Sequence, residues 1–264
     1  MAEITPVPSA TVLLVREAAD DFEVLMMERN AKSVFVPGMY VFPGGAIDEE
    51  DHAADVQALC PRMTDAEASA TLGVERGGLA YWVAVIRESF EEAGLLIAYD
   101  AMGRLVALDE PALVERYRSH RHELNQGTRG LLEVLRAESL TLAVDQLVYF
   151  SHWITPAPSP RRYNTRFFVA VAPPAQAPLH DDVETVSHVW VSPRRALEQH
   201  KKGEFKMRFP TARTLEEFAK YDSIEALMQA MRAKRNIPTL PRLNANGTRL
   251  LPGDPGYEEA RAPG

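Results

Sequence analysis

Three glutamates in one short run, Glu88, Glu91 and Glu92, are the side chains of this sequence best suited to chemistry. At about 100° per residue, the spacing i, i+3 and i+4 places their carboxylates on one face of a helix. Like charges at these spacings repel, at a cost of about a few tenths of a kcal/mol per pair. Carboxylate oxygens are ligands that Mg²⁺ accepts in proteins. The row therefore indicates a divalent-cation site, against the simpler alternative of a solvated acidic surface.

The segment that carries the glutamates also has a core-facing side, which predicts a helix over residues 79–93. Apolar side chains recur at helical spacing opposite the carboxylates. Gly94 follows the last helical position, where a glycine commonly ends a helix. The apolar positions are Leu79, Val83, Ile86 and Phe90.

Strands are predicted on both sides of this helix. Residues 10–16 and 22–29 are rich in β-formers and predict a hairpin, and residues 39–42 form a short strand that enters the turn Pro43-Gly44-Gly45. Downstream we predict helices at 109–122 and 129–137, strands at 147–154, 165–172 and 187–191, a helix at 193–201 and one long amphipathic helix at 214–231. From 236 we expect a Pro/Gly-rich tail that is either extended or mobile.

A Pro-Gly-Gly turn followed by Arg-Glu-x-x-Glu-Glu-x-Gly-apolar resembles the signature of the Nudix hydrolases. The matching residues are Arg87, Glu88, Glu91, Glu92, Gly94 and Leu95, with Ser89 in a slot that is usually apolar. The resemblance implies an α+β fold, an α/β/α sandwich in which a mixed β-sheet lies between helices.

The first half of the signature is interrupted. Counted from Gly45, the family spacing would place the arginine at Leu59, whereas it stands at Arg87, so 87 − 59 = 28 residues are inserted. The first glutamate of the signature would fall at Asp51, or alternatively at Glu49 or Glu50. Such an interruption resembles the Nudix subgroup that contains the peroxisomal coenzyme A diphosphatases of animals.

The resemblance also implies roles for individual residues. Glu88, Glu91 and Glu92, with the carbonyl of Gly44, would bind Mg²⁺ or Mn²⁺, and Glu91 is also a candidate for the catalytic base, as the matching residue is in some members. Arg87 would hold the carboxylates in place. The reaction implied is hydrolysis of a nucleoside diphosphate linked to another moiety.

Two further sets of residues are candidates for the base and for substrate binding. Asp182 and Glu184 lie in an acidic stretch before a predicted strand and are candidate bases, with an acidic surface turn as the alternative. Arg29 and Lys32 precede a stretch similar to a coenzyme A-directed motif, and Arg166 belongs to a basic cluster with Arg161 and Arg162. These cations are candidates for binding substrate phosphates.

Two units are predicted along the chain. Residues 1–205 would form the hydrolase domain, with insertions at about 49–78 and 105–140. Residues 206–264 would supply a C-terminal helix and an extended tail packed on that domain.

Composition excludes several classes of protein. The net charge of −8 argues against a general nucleic-acid binder. A single cysteine, Cys60, excludes an intramolecular disulfide and a cysteine-based zinc cluster, and a small buried residue is its expected role. With no apolar run long enough to span a membrane and no signal-peptide pattern, we expect a cytoplasmic protein without a membrane partner. A homodimer is the commonest assembly for such a chain.

The residues leave several functions open. The first is a diphosphatase acting on coenzyme A or acyl-coenzyme A, and the second is an ADP-ribose or NDP-sugar diphosphatase. A non-catalytic nucleotide sensor and an assembly module built on the helix at 214–231 are the alternatives outside catalysis. The intact row of carboxylates argues against the sensor.

Overall fold

The computed structural model of the chain describes residues 4–19, 21–30, 38–157, 159–179 and 185–260. The strands within these ranges are β1 (Val7–Glu17), β2 (Phe22–Arg29), β3 (Tyr40–Val41), β4 (Gly44–Ala46), β5 (Ala98–Tyr99), β6 (Thr141–Leu142), β7 (Val148–Ile154), β8 (Tyr163–Val171), β9 (Thr185–Val191), β10 (Pro238–Thr239), β11 (Arg242–Leu243) and β12 (Arg249–Leu250). The α-helices are α1 (Val56–Leu59), α2 (Asp65–Leu72), α3 (Leu79–Ala93), α4 (Pro111–Asn125), α5 (Leu131–Ala137), α6 (Pro193–Lys201), α7 (Phe209–Phe218) and α8 (Ile224–Ala233).

The main sheet has eight strands and is mixed. Its order is β10-β7-β8-β1-β2-β3, while β4 pairs with β1 and β9 pairs with β2. Two of these pairings, β1 with β8 and β10 with β7, are parallel, and the others are antiparallel. The predicted hairpins β1–β2 and β7–β8 are therefore confirmed.

Alternation along β1 supplies a hydrophobic core to each face of the sheet. Ala10, Val12 and Leu14 pack in one core with residues of α3 and of the helices α1, α2, α4 and α5. Leu13 and Val15 face the other core, which α6, α7 and α8 cover. The predicted α+β sandwich, with helices on both faces of a mixed sheet, is confirmed.

Helix α3 has the predicted bounds, and its C-terminal end is tightly defined. Gly94 adopts φ 69°, a left-handed conformation that glycine accepts without steric cost, and its N–H donates to the carbonyl of Phe90 over 3.0 Å. Ser89 is fully buried, and its hydroxyl donates to the carbonyl of Leu95 over 2.7 Å. That hydrogen bond explains how a polar side chain occupies an apolar position of the signature.

The segment that interrupts the signature is folded. Helix α2 begins with a capping box, in which the Thr64 side chain accepts from the N–H of Glu67 and the Glu67 side chain accepts from the N–H of Thr64. Asp65 then accepts from the N–H groups of Gly77 and Leu79, over 3.0 and 2.9 Å, which ties α2 to the start of α3. The insertion is thereby attached to the helix that carries the glutamates.

One sequence prediction for the C-terminal region is wrong. The single helix expected at 214–231 is two helices, because Ser223 caps α8 by accepting from the N–H of Ala226 and thus starts a new helix. The tail contains short strands, of which β10 pairs with β7, and the Tyr257 hydroxyl donates to the carbonyl of Leu240 over 2.8 Å. No helix in the described ranges is long and apolar enough to cross a membrane.

Candidate active site

Arg87 organises the acidic end of α3. Its Nη1 donates to Glu88 Oε1 over 2.9 Å and to Glu91 Oε2 over 3.1 Å. Its Nη2 donates to the carbonyl of Ala46 in β4 over 3.0 Å. One guanidinium therefore holds two of the three glutamates and fixes them relative to the sheet.

Asp51 is the main partner of this arginine. Its Oδ1 accepts from Arg87 Nε over 3.1 Å, its Oδ2 accepts from Arg87 Nη2 over 3.0 Å, and its side chain is 1% exposed. Oδ2 also accepts from the N–H of Asp48, which anchors the loop after β4. Asp51, one of the three alternatives for the first carboxylate of the signature, thus contacts Arg87 and the backbone, and its role as that carboxylate stays a prediction.

The Pro43-Gly44-Gly45 turn approaches the glutamates too closely for side chains. A Cβ at Gly45 would lie 2.2 Å from Glu88 Oε1, and a Cβ at Gly44 would lie 2.4 Å from the carbonyl oxygen of Ala10. The N–H of Gly44 donates to Glu92 Oε2 over 2.9 Å. Residues with a side chain would clash at both positions, so both must be glycine. The N–H of Gly44 also positions Glu92, the third glutamate.

Burial makes the negative charge of this cluster costly. It raises the pKa of the Glu88 carboxyl to about 7, although the charge of Arg87 opposes the rise. Burial likewise raises the pKa of Glu91, again against the effect of Arg87. For Arg87 itself burial would lower the pKa, but the hydrogen bonds that Arg87 donates to Asp51 and the negative charge of Glu88 outweigh it and raise the pKa.

The donor set fits a hard divalent cation. Arg87 lies within ion-pair distance of four carboxylates, those of Asp48, Asp51, Glu88 and Glu91, which leaves a formal excess of three negative charges. Oxygen ligands with unbalanced negative charge suit Mg²⁺ or Mn²⁺. Among the described residues, however, no three acidic, cysteine or histidine side chains are grouped closely enough to hold one ion. A cation would therefore compete with Arg87 for Glu88 and Glu91, and with the N–H of Gly44 for Glu92.

The end of α3 is also held from the helical insertion. Arg121 in α4 is buried, and its Nε and Nη2 donate to the carbonyls of Glu91 and Glu92 over 2.8 and 2.9 Å. These are carbonyls of the last helical turn, which lack partners within a helix. Arg121 thereby stabilises the backbone that carries two of the glutamates.

A cleft of about 630 Å³ opens beside the glutamates. Glu88 and Glu92 line it together with the Gly44-Gly45 turn, and aromatic and basic side chains complete its walls. The basic and aromatic lining residues are Arg29, Arg161, Arg208, Arg249, Phe42, Trp153, Tyr163, Phe167 and Phe209. The cleft therefore presents carboxylates, cations and aromatic rings to one ligand.

The candidate substrate-binding residues have different placements. Arg29 lines the cleft. Arg166 is 5% exposed, and it faces α3 because alternate residues of β8 point to opposite faces of the sheet. Its guanidinium donates to Asn164 Oδ1 over 2.6 Å and lies 5.0 Å over the ring of Tyr81. Arg161, from the same basic cluster, lines the cleft, whereas Arg166 is not among its lining residues. Contact between Arg166 and the substrate stays a prediction. Lys32 lies outside the described residues, as do the candidate bases Asp182 and Glu184.

Comparison with known families identifies the chain. The family model described as the NUDT19 Nudix domain matches residues 63–216, more than half of its length. The chain is a Nudix hydrolase of this family. Nudix hydrolases generally use divalent metal cations, in agreement with the excess of carboxylates around Arg87.

Similar Nudix proteins cover most of the chain. The acyl-coenzyme A diphosphatase NUDT19 of Homo sapiens is 28% identical over 281 aligned positions, which cover 91% of this chain and 74% of the human protein. The protein of the same name from Xenopus laevis is 26% identical and covers 90% and 72%, respectively. The crystal structure of a NUDIX hydrolase from Alicyclobacillus acidocaldarius superposes with a TM-score of 0.71 at 27% identity, and covers 86% of this chain and 97% of that one.

Three contributors to the Nudix site were not predicted from the sequence. Arg121 acts on α3 from 29 or 30 positions away, and nothing in its local sequence indicates this contact. Arg208 and Arg249 come from the C-terminal region and line the cleft. The sequence signal that could have indicated their contribution to the cleft was an arginine next to an aromatic or turn residue, as in Arg208-Phe209.

Proposed function

We propose that this Nudix hydrolase cleaves the diphosphate of coenzyme A or of an acyl-coenzyme A, a nucleoside diphosphate linked to another moiety. The observation that carries the proposal is the row of glutamates, held by Arg87 and by the N–H of Gly44, beside a cleft that also contains arginines and aromatic rings. The names of the human and Xenopus laevis relatives support the same substrate class.

In this proposal Glu88, Glu91 and Glu92 hold Mg²⁺ or Mn²⁺, with the carbonyl of Gly44 as a further ligand. When bound, the cation would neutralise phosphate oxygens and acidify the attacking water. Arg87 orients Glu88 and Glu91, and the turn at Gly44-Gly45 orients Glu92. Glu91, Asp182 and Glu184 are the candidates for the base that takes a proton from the water, and Arg29 and Lys32 are candidates for binding a substrate phosphate.

The experiment is turnover of coenzyme A with Mg²⁺ or Mn²⁺, followed by identification of the products. We expect 3′,5′-ADP and 4′-phosphopantetheine, and no products after chelation of the metal. ADP-ribose, NADH and dinucleoside polyphosphates belong in the same screen, because faster turnover of ADP-ribose would support the alternative diphosphatase.

The carboxylate row is tested with Glu91→Gln, which keeps the size of the side chain and removes its charge. We expect hydrolysis to be abolished and the unfolding temperature to be retained. Glu115→Gln on the exposed surface of α4 is the matched control and should keep full activity. Activity retained in Glu91→Gln would refute the assignment of this residue.

The remaining sequence predictions stay predictions. We infer a hydrolase unit in residues 1–205 with residues 206–264 packed on it, a cytoplasmic location and a homodimer. Cell fractionation and light scattering coupled to size-exclusion chromatography test the last two.

A further inference from the structure

The C-terminal region forms one wall of the cleft. Residues 208–211, at the start of α7, line it together with Pro241 and Arg249. The pairing of β10 with His152 and Trp153 of β7 attaches the tail to the sheet edge beside this wall. The β11–β12 hairpin then brings Arg249 to the cleft through the register Arg242↔Leu250 and Leu243↔Arg249. Segments distant from the signature thus complete the cavity.

Three separate segments contribute positive charge to the lining of the cleft. Arg161 follows the Pro-rich loop, Arg208 precedes α7 and Arg249 belongs to the tail hairpin, and all three are exposed in the cleft. Arg161 and Arg249 form no ion pair with any of the described residues. Glu88 and Glu92 are the carboxylates among the described lining residues, and both belong to the α3 row. Arg161 and Arg249 therefore bring to the cleft positive charge that no carboxylate of the described residues pairs with.

The start of α7 adds hydrogen-bond donors to the same wall. Arg208 makes no side-chain cap, and the first N–H groups of a helix lack intrahelical partners. Thr211 lines the cleft and is 8% exposed, and its hydroxyl has no partner among the described residues. The Thr211 hydroxyl is therefore available to form a hydrogen bond with a ligand in the cleft.

Aromatic rings flank these cations. The guanidinium of Arg249 lies 5.2 Å over the ring of Phe209, and the ring of Trp153 meets Phe209 edge-on at 6.1 Å. The stacking holds the arginine at the cleft wall while leaving its N–H groups in the plane of the guanidinium available. The spacing of these guanidinium N–H groups matches that of the oxygens of a phosphate group.

The geometry points to a second anion subsite in the cleft: Arg161, Arg208, Arg249 and Thr211 bind a phosphate monoester of the substrate that is separate from the hydrolysed diphosphate. This inference rests on the proposed function and extends it, because it assigns discrimination between substrates to the C-terminal wall. A substrate without the additional phosphate would reach the same glutamates but lack these contacts.

The kinetic test compares coenzyme A with 3′-dephospho-coenzyme A, which differ by one phosphate monoester. For Arg249→Ala and Arg161→Ala we expect kcat/KM with coenzyme A to fall at least tenfold, mainly through KM, and kcat/KM with the dephosphorylated substrate to change less than twofold. Arg213→Ala is the matched control, because Arg213 lies on α7, is paired with Glu216 and does not line the cleft. An equal loss with both substrates, or no loss with either, would overturn the subsite.

A binding test separates this inference from the proposed reaction. Adenosine 3′,5′-bisphosphate and adenosine 5′-monophosphate are titrated calorimetrically into the full chain in the presence of chelator. We expect the bisphosphate to bind at least tenfold more tightly to the wild type, and this advantage to be lost in Arg249→Ala. If coenzyme A is not hydrolysed but the advantage remains, the proposed function fails and the subsite stands. Equal affinity for the two nucleotides, or inorganic phosphate binding as tightly as the bisphosphate, would overturn the subsite.

Discussion

Asp51 and Arg87 form a buried, bidentate ion pair across the segment that interrupts the Nudix signature. The distances are 3.1 Å from Nε to Oδ1 and 3.0 Å from Nη2 to Oδ2, and the side chains are 1% and 8% exposed. The same guanidinium holds Glu88 and Glu91. The pair therefore links the loop after β4 to the row of glutamates.

Replacing Asp51 with alanine should destabilise the fold strongly. Removal of one partner from a buried ion pair leaves an uncompensated charge and costs about 3–5 kcal/mol. We expect the free energy of unfolding in urea to fall by about this amount, with hydrolysis falling as Glu88 and Glu91 lose their fixed partner. Asp48→Ala is the control, because Asp48 contacts the same guanidinium at 3.4 Å but has a 60% exposed side chain. A similar loss in both variants would contradict the special role of Asp51.

Gly45→Ala should impair hydrolysis with little effect on folding. The new Cβ would lie 2.2 Å from Glu88 Oε1, and the flexible carboxylate end can move away from it. We expect kcat to fall about tenfold or more, the cost of about 1.4 kcal/mol of lost transition-state stabilisation, while the urea midpoint stays near that of the wild type. Gly130→Ala is a matched control, since its Cβ would meet the carboxylate of Glu50 at 2.6 Å, outside the α3 row. If both variants lose activity equally, the displacement of Glu88 is not the cause.

Arg121→Met should loosen the last turn of α3. The carbonyls of Glu91 and Glu92 would lose hydrogen bonds from a charged donor, each worth about 1.5–3 kcal/mol. We expect faster hydrogen exchange at the amides of Gly94 and Leu95, together with a lower kcat and a nearly unchanged KM. Arg118→Met on the same helix removes only an exposed pair with Glu115 and should leave exchange and kcat unchanged.

Cys60 should be unreactive in the native protein. It is fully buried, and burial raises the pKa of its thiol from 9.0 to about 12. Between these pH values the folded chain keeps a proton that the unfolded chain loses, so this thiol lowers stability as pH rises. We expect no reaction with a thiol reagent at pH 8 until denaturant is added, and a weaker loss of stability above pH 9 in Cys60→Ala. Rapid labelling of the native chain would contradict this burial.

Local patterns predicted the elements of the site better than its long-range contacts. The stripe from Leu79 to Phe90, ended by Gly94, predicted α3 to its last residue, because helical periodicity and a C-terminal glycine are both local signals. The pairing of the tail with β7 was not predicted, because the tail's own composition of Pro, Gly and polar residues does not indicate a partner strand.

Which arginines of the basic stretch line the cleft depends on the face of the sheet to which each one points. Arg161 and Arg166 lie in the same basic stretch, yet the first lines the cleft and the second is buried against Tyr81. Sequence alone could not fix which face of β8 would carry the cleft, since the register with β1 and β7 sets it. Arg249 reaches the cleft only through the folded tail, so no local pattern could indicate its position.

The interruption of the signature lengthens the loop that the Asp51–Arg87 ion pair closes. Asp51 and Arg87 are separated by 36 positions, whereas the uninterrupted spacing separates the corresponding residues by 87 − 28 − 51 = 8. Because the entropy of closing a loop grows only with the logarithm of its length, this extension costs about 1.3 kcal/mol, less than the loss of the ion pair that closes it. A long insertion between Asp51 and Arg87 therefore lowers the stability of the fold only slightly. Natural variation can lengthen or rebuild this insertion while the reactive residues stay in place.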